Sequence, residues 1–162
     1  MKNNLWDFAV RLYGMPGIAD ACLSLQEESG VDVPVLLFSA WLADRSVPLP
    51  ESEMLRIAAV VADWQQEVVL PLRTIRRRLK SGPRPAPDQQ TESLRNTIKG
   101  AELSAERIEL ATLEAVGLTL SKAEEADPVA NMMSVARYYR AAEPDERAKA
   151  AIGLVAKALA RI

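Results

Sequence analysis

Apolar residues recur along this chain at steps of three and four, and strand-like alternation is nearly missing. The spacing predicts a first helix from about Leu5 to Tyr13, with Asn4 as its N-cap and Leu5, Phe8, Ala9 and Leu12 as its apolar stripe. Gly14 ends it. Pro16-Gly17 opens a second helix, whose inner face is Ile18, Ala21, Cys22 and Leu25 and which stops at Gly30. Asp32 caps a third helix, with Pro34 in its first turn. Val35 to Ala43 is apolar on all sides, which predicts a central helix.

The longest segment runs from about Glu51 to Ser81, with a stripe of Leu55, Ala58, Val61, Ala62, Gln65, Val68, Val69, Leu72, Ile75 and Leu79. Pro71 sits inside it. An interior proline removes a backbone hydrogen bond and biases the preceding residue away from helical angles, so a kink or break is expected at Leu70-Pro71. Residues 81–90, with three prolines and a glycine, read as a linker between helical units 4–80 and 91–162. Beyond it, Leu94, Ile98, Ala101, Ala105, Ile108, Thr112 and Ala115 alternate in steps of four and three, a coiled-coil-like seam on a helix from about Thr91 to Val116. Two shorter helices follow, from Asp127-Pro128 to about Ala141 and from Pro144 to about Arg161. The expected fold is one all-α domain, a bundle of six or seven helices with a long Pro-kinked member.

Composition narrows the chemistry. The 162 residues are 49% hydrophobic and carry a net charge of −2, so an ordinary globular core is expected and any preference for polyanions must come from a local patch. Histidine is absent, which removes Ser-His-Asp and Cys-His catalysis and histidine metal ligation. The single cysteine, Cys22, has no partner for an internal disulfide and lies on the apolar side of its helix; a buried structural role and a cytoplasmic location are expected. The N-terminus has no signal-peptide pattern, since Asp7 and Arg11 interrupt its apolar stretch. The longest uncharged run, Val33 to Ala43, has eleven residues, where a membrane span needs about 20. No cofactor or metal is implied.

The strongest local anomaly is Arg73, Arg76, Arg77, Arg78, Lys80 and Arg84, with no acid among them. Arg73, Arg76, Arg77 and Lys80 share one helix face at i, i+3, i+4 and i+7, a candidate site for phosphates or an acidic partner. The structural alternative is equally concrete. Cations favour the last turns of a helix, and some of these arginines can pair with glutamates of the next helix. Glu102 and Glu106, one turn apart, are the matching acids. They are candidate binding residues or one half of an internal ion-pair network. Trp6, Trp41 and Trp64 read as core or interface anchors.

The string Leu5-Trp6-x-Phe8, Tyr13-x-x-Pro16-Gly17 and Cys22-Leu23-x-Leu25-Gln26, followed by Val68-Val69-x-Pro71-Leu72-Arg73-x-x-Arg76-Arg77-x-Leu79-Lys80 and Glu102-Leu103-x-x-Glu106-Arg107, resembles a bacterial family of helical proteins known only as a domain of unknown function. The resemblance covers about residues 4–115. It implies a bacterial cytosolic protein and brings no catalytic residues with it.

Three functions remain open on these grounds. The first is a non-enzymatic adaptor or regulator that binds another protein or itself. The second is a nucleic-acid- or ribosome-associated protein using the basic face Arg73–Lys80. The third is a small-ligand binder or enzyme with Arg73, Glu102 and Glu106 in a helical pocket.

Overall fold

The computed structural model describes residues 4–162; residues 1–3, on which the expectation about the N-terminus partly rests, lie outside them. All regular elements among the described residues are helical: α1 (Leu5–Tyr13), α2 (Ile18–Ser29), α3 (Val33–Asp44), α4 (Glu51–Trp64), a π-helical turn (Gln65–Val69), α5 (Leu70–Arg78), α6 (Gln89–Gly117), α7 (Pro128–Arg140) and α8 (Glu146–Leu159). Because α4, the π turn and α5 follow one another without interruption, these make seven helical rods, the all-α architecture that the spacing predicts.

The chain divides into two compact units. One comprises the residues up to Ala58 together with Leu110–Ile162, and the other is Ala59–Glu109.

In the first unit the local signals act largely as expected. The side chain of Asn4 accepts the Asp7 N–H at 2.8 Å, and Leu5, Phe8, Ala9 and Leu12 are buried. Pro16 lies in the turn before α2, not in its first helical turn. Gly17 is the N-cap with φ +81°, a left-handed conformation that a side chain would resist. Every residue of α3 from Pro34 to Ala43 is buried, and this helix packs against α1, α2, α7 and α8. Around it α2 packs on α8 and α7 on α8. Asp127 and Asp145 cap α7 and α8 through Val129 N–H and Ala148 N–H. The last helix therefore begins two residues past Pro144.

Two further contacts fix this unit. Asn131 on α7 is 2% exposed; its Oδ1 accepts the Leu49 N–H at 2.8 Å, and its Nδ2 donates to Ser39 O at 3.1 Å and Val47 O at 2.9 Å. One side chain thus ties α3 to the α3–α4 connection and pairs the backbone of that connection, which carries Pro48 and Pro50 and forms no regular ladder. Gly117, the last residue of α6, lies against the rings of Phe38 and Trp41. Cys22 is fully buried, and burial pushes its thiol up to about 12.

In the second unit, of the kink or break expected at Leu70-Pro71, the structure shows no break: the regular α-helix is interrupted only by the π turn just ahead of the proline. Leu70 keeps helical angles (φ −62°, ψ −43°), and its N–H bonds to Gln65 O, five residues back. The wider π turn sits just ahead of the proline, whose missing N–H and bulky ring fit poorly into a regular α-turn. The helix therefore continues through Pro71. The proline-rich segment 81–90 lies inside this unit and joins α5 to α6.

Candidate functional site

The π turn changes which side chains face inward. It takes one residue more than an α-turn, and each residue advances the side-chain direction by about 100°. Ahead of it Ala58 and Val61 are buried as the stripe predicts, together with Met54 and Ile57, whereas Leu55 is exposed. Beyond it the inner positions are Val69, Arg73 and Arg76 in steps of four and three, and Ile75 is 49% exposed. An arginine therefore occupies the inner position where the apolar stripe places Ile75.

Arg73 is only 7% exposed, and its partners come from α6. Its Nε donates to Glu102 Oε1 at 2.9 Å and its Nη2 donates to Glu106 Oε1 at 3.1 Å. Arg76 donates through Nε to Glu102 Oε2 and through Nη2 to Glu102 Oε1 at 3.3 Å. One carboxylate, 6% exposed, thus takes hydrogen bonds from two guanidinium groups on successive turns of α5. Nearby, Trp64 Nε1 donates to Ala105 O at 2.9 Å. The pairs Trp64–Ala105 and Arg76–Glu102 run in opposite directions along the two rods, so the unit is a helical hairpin.

Burial opposes both charges, and pairing outweighs it. Desolvation alone would push the Arg73 guanidinium down, but the hydrogen bond and charge of Glu102, with those of Glu106, hold it above its ordinary value. Desolvation would likewise raise the Glu102 carboxyl, but Arg76 and Arg73 hold it below the usual carboxylate range. Both groups are therefore charged at neutral pH.

The register of α6 follows from this network. Glu102, Ala105 and Glu109 are buried, whereas Leu94, Ala101 and Ile108 of the expected seam face outward, Leu94 at 51% and Ile108 at 52% exposed. The expected seam as a whole therefore does not face inward here: in this stretch α6 turns Glu102 toward α5, where Arg73 and Arg76 donate to its carboxylate.

Among the candidate residues the structure thus brings Arg73, Arg76, Glu102 and Glu106 together and leaves Arg77 and Lys80 on the surface. Arg78 and Arg84 are exposed too, so four cations stand at the hairpin tip, and residues 68–87 hold no carboxylate. The guanidinium of Arg78 lies over Gly82, where an added Cβ would sit 2.7 Å from its Nη1. Sequence reasoning overlooked the outward face of α5. Pro71, Thr74, Ile75 and Arg78 lie on it at i, i+3, i+4 and i+7, all exposed, with Leu70 beside them. The helical spacing was visible, but only the π turn turns this side outward.

Among the described residues no three His, Cys, Asp or Glu side chains stand together so as to hold a metal ion. No described helix is long and apolar enough to cross a membrane. A family model described as "Protein of unknown function (DUF2390)" matches residues 4–113. No curated protein and no solved structure matches the chain.

Proposed function

The chain belongs to this family of unknown function, and from that premise we propose that it is a non-enzymatic interaction protein, an adaptor or regulator, whose hairpin unit presents the contact surface. The observation that carries this reading is the internal use of the hairpin's polar groups. Arg73 and Arg76 spend their donors on Glu102 and Glu106. Such groups build a scaffold, and a ligand would have to displace a buried ion pair to reach them. The same pairing weighs against an enzyme or small-ligand site built on Arg73, Glu102 and Glu106. What the hairpin offers to the outside is the face of α5 and the basic tip.

The test is retention of proteins from lysate on the tagged full chain, with and without nuclease, compared with the chain carrying Ile75→Ser, Arg78→Gln and Lys80→Gln. A protein set that survives nuclease and is lost with the substitutions supports the reading. Retention that ignores them removes the hairpin from it.

A second reading is favoured by one observation. Four exposed cations on an acid-free stretch suit a phosphate backbone as well as an acidic protein. Retained material that is nucleic acid and disappears with nuclease would establish that reading in place of the first. The absence of aromatic residues among these cations disfavours single strands, which bind by stacking.

A further inference from the structure

The outward side of α5 is not uniformly cationic. Its first two turns expose Leu70 (37%), Pro71 and Ile75 (49%), and only the last turn and the following loop carry exposed cations, Arg77, Arg78, Lys80 and Arg84. Pro83, Pro85 and Pro87 of the loop are exposed as well. Apolar and basic surface therefore follow one another from the first turns of α5 to its end and into the loop. A phosphate backbone gains nothing from the apolar turns, whereas a peptide with both kinds of side chain gains from both.

We infer that this face docks an acidic amphipathic segment of a partner protein, with apolar side chains lying on Leu70, Pro71 and Ile75 and carboxylates meeting Arg78, Lys80 and Arg84. The inference rests on the interaction reading above and adds the chemistry of the partner. Charge complementarity selects acidic residues, since no carboxylate occurs between Glu67 and Asp88 and the two acids that α5 engages, Glu102 and Glu106, already hold Arg73 and Arg76. Docking a helix in a partly apolar site is a recurring mode of peptide recognition, read out by residues at i, i+3, i+4 and i+7. The positioning of Arg78 supports the same conclusion: its guanidinium lies over the open Cα of Gly82, so its head is partly placed before a partner arrives.

The experiment is selection of a displayed random-peptide library on the immobilised full chain, repeated on two variants, Arg78→Gln/Lys80→Gln/Arg84→Gln and Ile75→Ser. All four positions are exposed, so helix content and melting temperature serve as controls for folding. The expected result is enrichment of sequences with Glu or Asp next to Leu, Ile or Phe. Their affinity should fall about tenfold on the charge variant and with added salt, and it should fall on Ile75→Ser as well. Enrichment of peptides without carboxylates, or acidic peptides that bind the charge variant equally well, overturns the inference while leaving an interaction protein. No enriched peptide, with duplex RNA retained by the wild type and released by the charge variant, overturns the inference and the interaction reading together. No enrichment and no RNA retention overturns the inference on its own.

Discussion

Arg73 and Glu102 face one another across the hairpin at 2.9 Å, and each is less than one-tenth exposed. A buried pair of this kind is costly to break and cheap to replace, because most of its energy is spent offsetting the desolvation of its own two charges. Glu102→Gln should therefore destabilise the protein by about 3 kcal/mol, at the low end for a broken buried pair because Glu106 still holds Arg73. The joint substitution Arg73→Met and Glu102→Met should recover most of that loss but not all of it, because Arg76 still loses the carboxylate that takes its Nε and Nη2 hydrogen bonds. Urea titration of the three proteins decides it. A double variant as unstable as the single one would mean that the pair stabilises the hairpin outright.

The same carboxylate sets a pH dependence. Glu102 is held below its ordinary value of 4.5 in the folded chain. Above that value it is charged in both states, and its contribution to stability is fully present. As the pH falls below 4.5 the unfolded chain takes up its proton first, so stability declines until the folded carboxyl also protonates. Arg73, held above an already high value, stays charged throughout and adds no slope there. Stability measured by urea titration at successive pH values below 4.5 should fall less steeply for Glu102→Gln than for the wild type. Equal slopes would assign the acid sensitivity to other carboxylates.

These two residues also show how far the sequence could be read. The helical period located every rod, and in α1, α2 and α3 it also identified the buried side, because apolar stripes there coincide with the core. In the hairpin it located the rods and part of their inner faces: Val61, Val69 and Ala105 are buried as the stripes predict, whereas Ile75, Leu94 and Ile108 are not. Ile75 and Ile108 are apolar and exposed, and Arg73 and Glu102 are charged and buried. Hydrophobic periodicity assumes that the inner face is the apolar one, and a mutually neutralising ion pair removes that assumption. A π turn, which has no simple sequence signature, shifts the phase between Val61 and Arg73. The pairing itself was legible as an alternative, because acids spaced by one turn lay on the next helix. Whether those groups meet depended on distances that no spacing contains. Asn131 was missed altogether, although a carboxamide flanked by Ala130, Met132 and Met133 on a helix is a recognisable sign of a buried polar clamp.

That clamp makes a stability prediction in the first unit. Asn131→Ala removes three hydrogen bonds and leaves Leu49 N–H, Ser39 O and Val47 O without this partner in a buried setting. The expected loss is about 3 kcal/mol. Asn131→Asp should also destabilise, because it keeps the acceptor for Leu49 N–H but turns a carboxylate oxygen toward two carbonyls. Thermal melting of both variants checks this. A melting temperature unchanged for Asn131→Ala would mean that water replaces the side chain.

Cys22 offers a probe that perturbs nothing. It is fully buried and its thiol is pushed up to about 12, so the native protein should react with a disulfide reagent at pH 8 only through unfolding. The labelling rate should rise with urea along the global unfolding curve. Fast labelling in the absence of denaturant would reveal a local opening of α2.

The two glycines of α6 should respond to the same substitution with opposite sign. At Gly117 a new Cβ would lie 2.7 Å from Phe38 Cε2 and 2.8 Å from Trp41 Cζ3, and both rings are almost wholly buried and cannot step aside. Overpacking of this kind costs about 1–3 kcal/mol, more than the gain from alanine's better helix propensity of about 1 kcal/mol. At Gly100 a Cβ would meet nothing within 4 Å, the position is exposed, and the backbone is already helical. There the propensity gain of about 1 kcal/mol stands alone. Gly117→Ala should therefore lower the melting temperature and Gly100→Ala should raise it. If both raised it, the end of α6 would have to be free to move off the aromatic pair on α3, and its contact with Phe38 and Trp41 would not be a fixed part of the core.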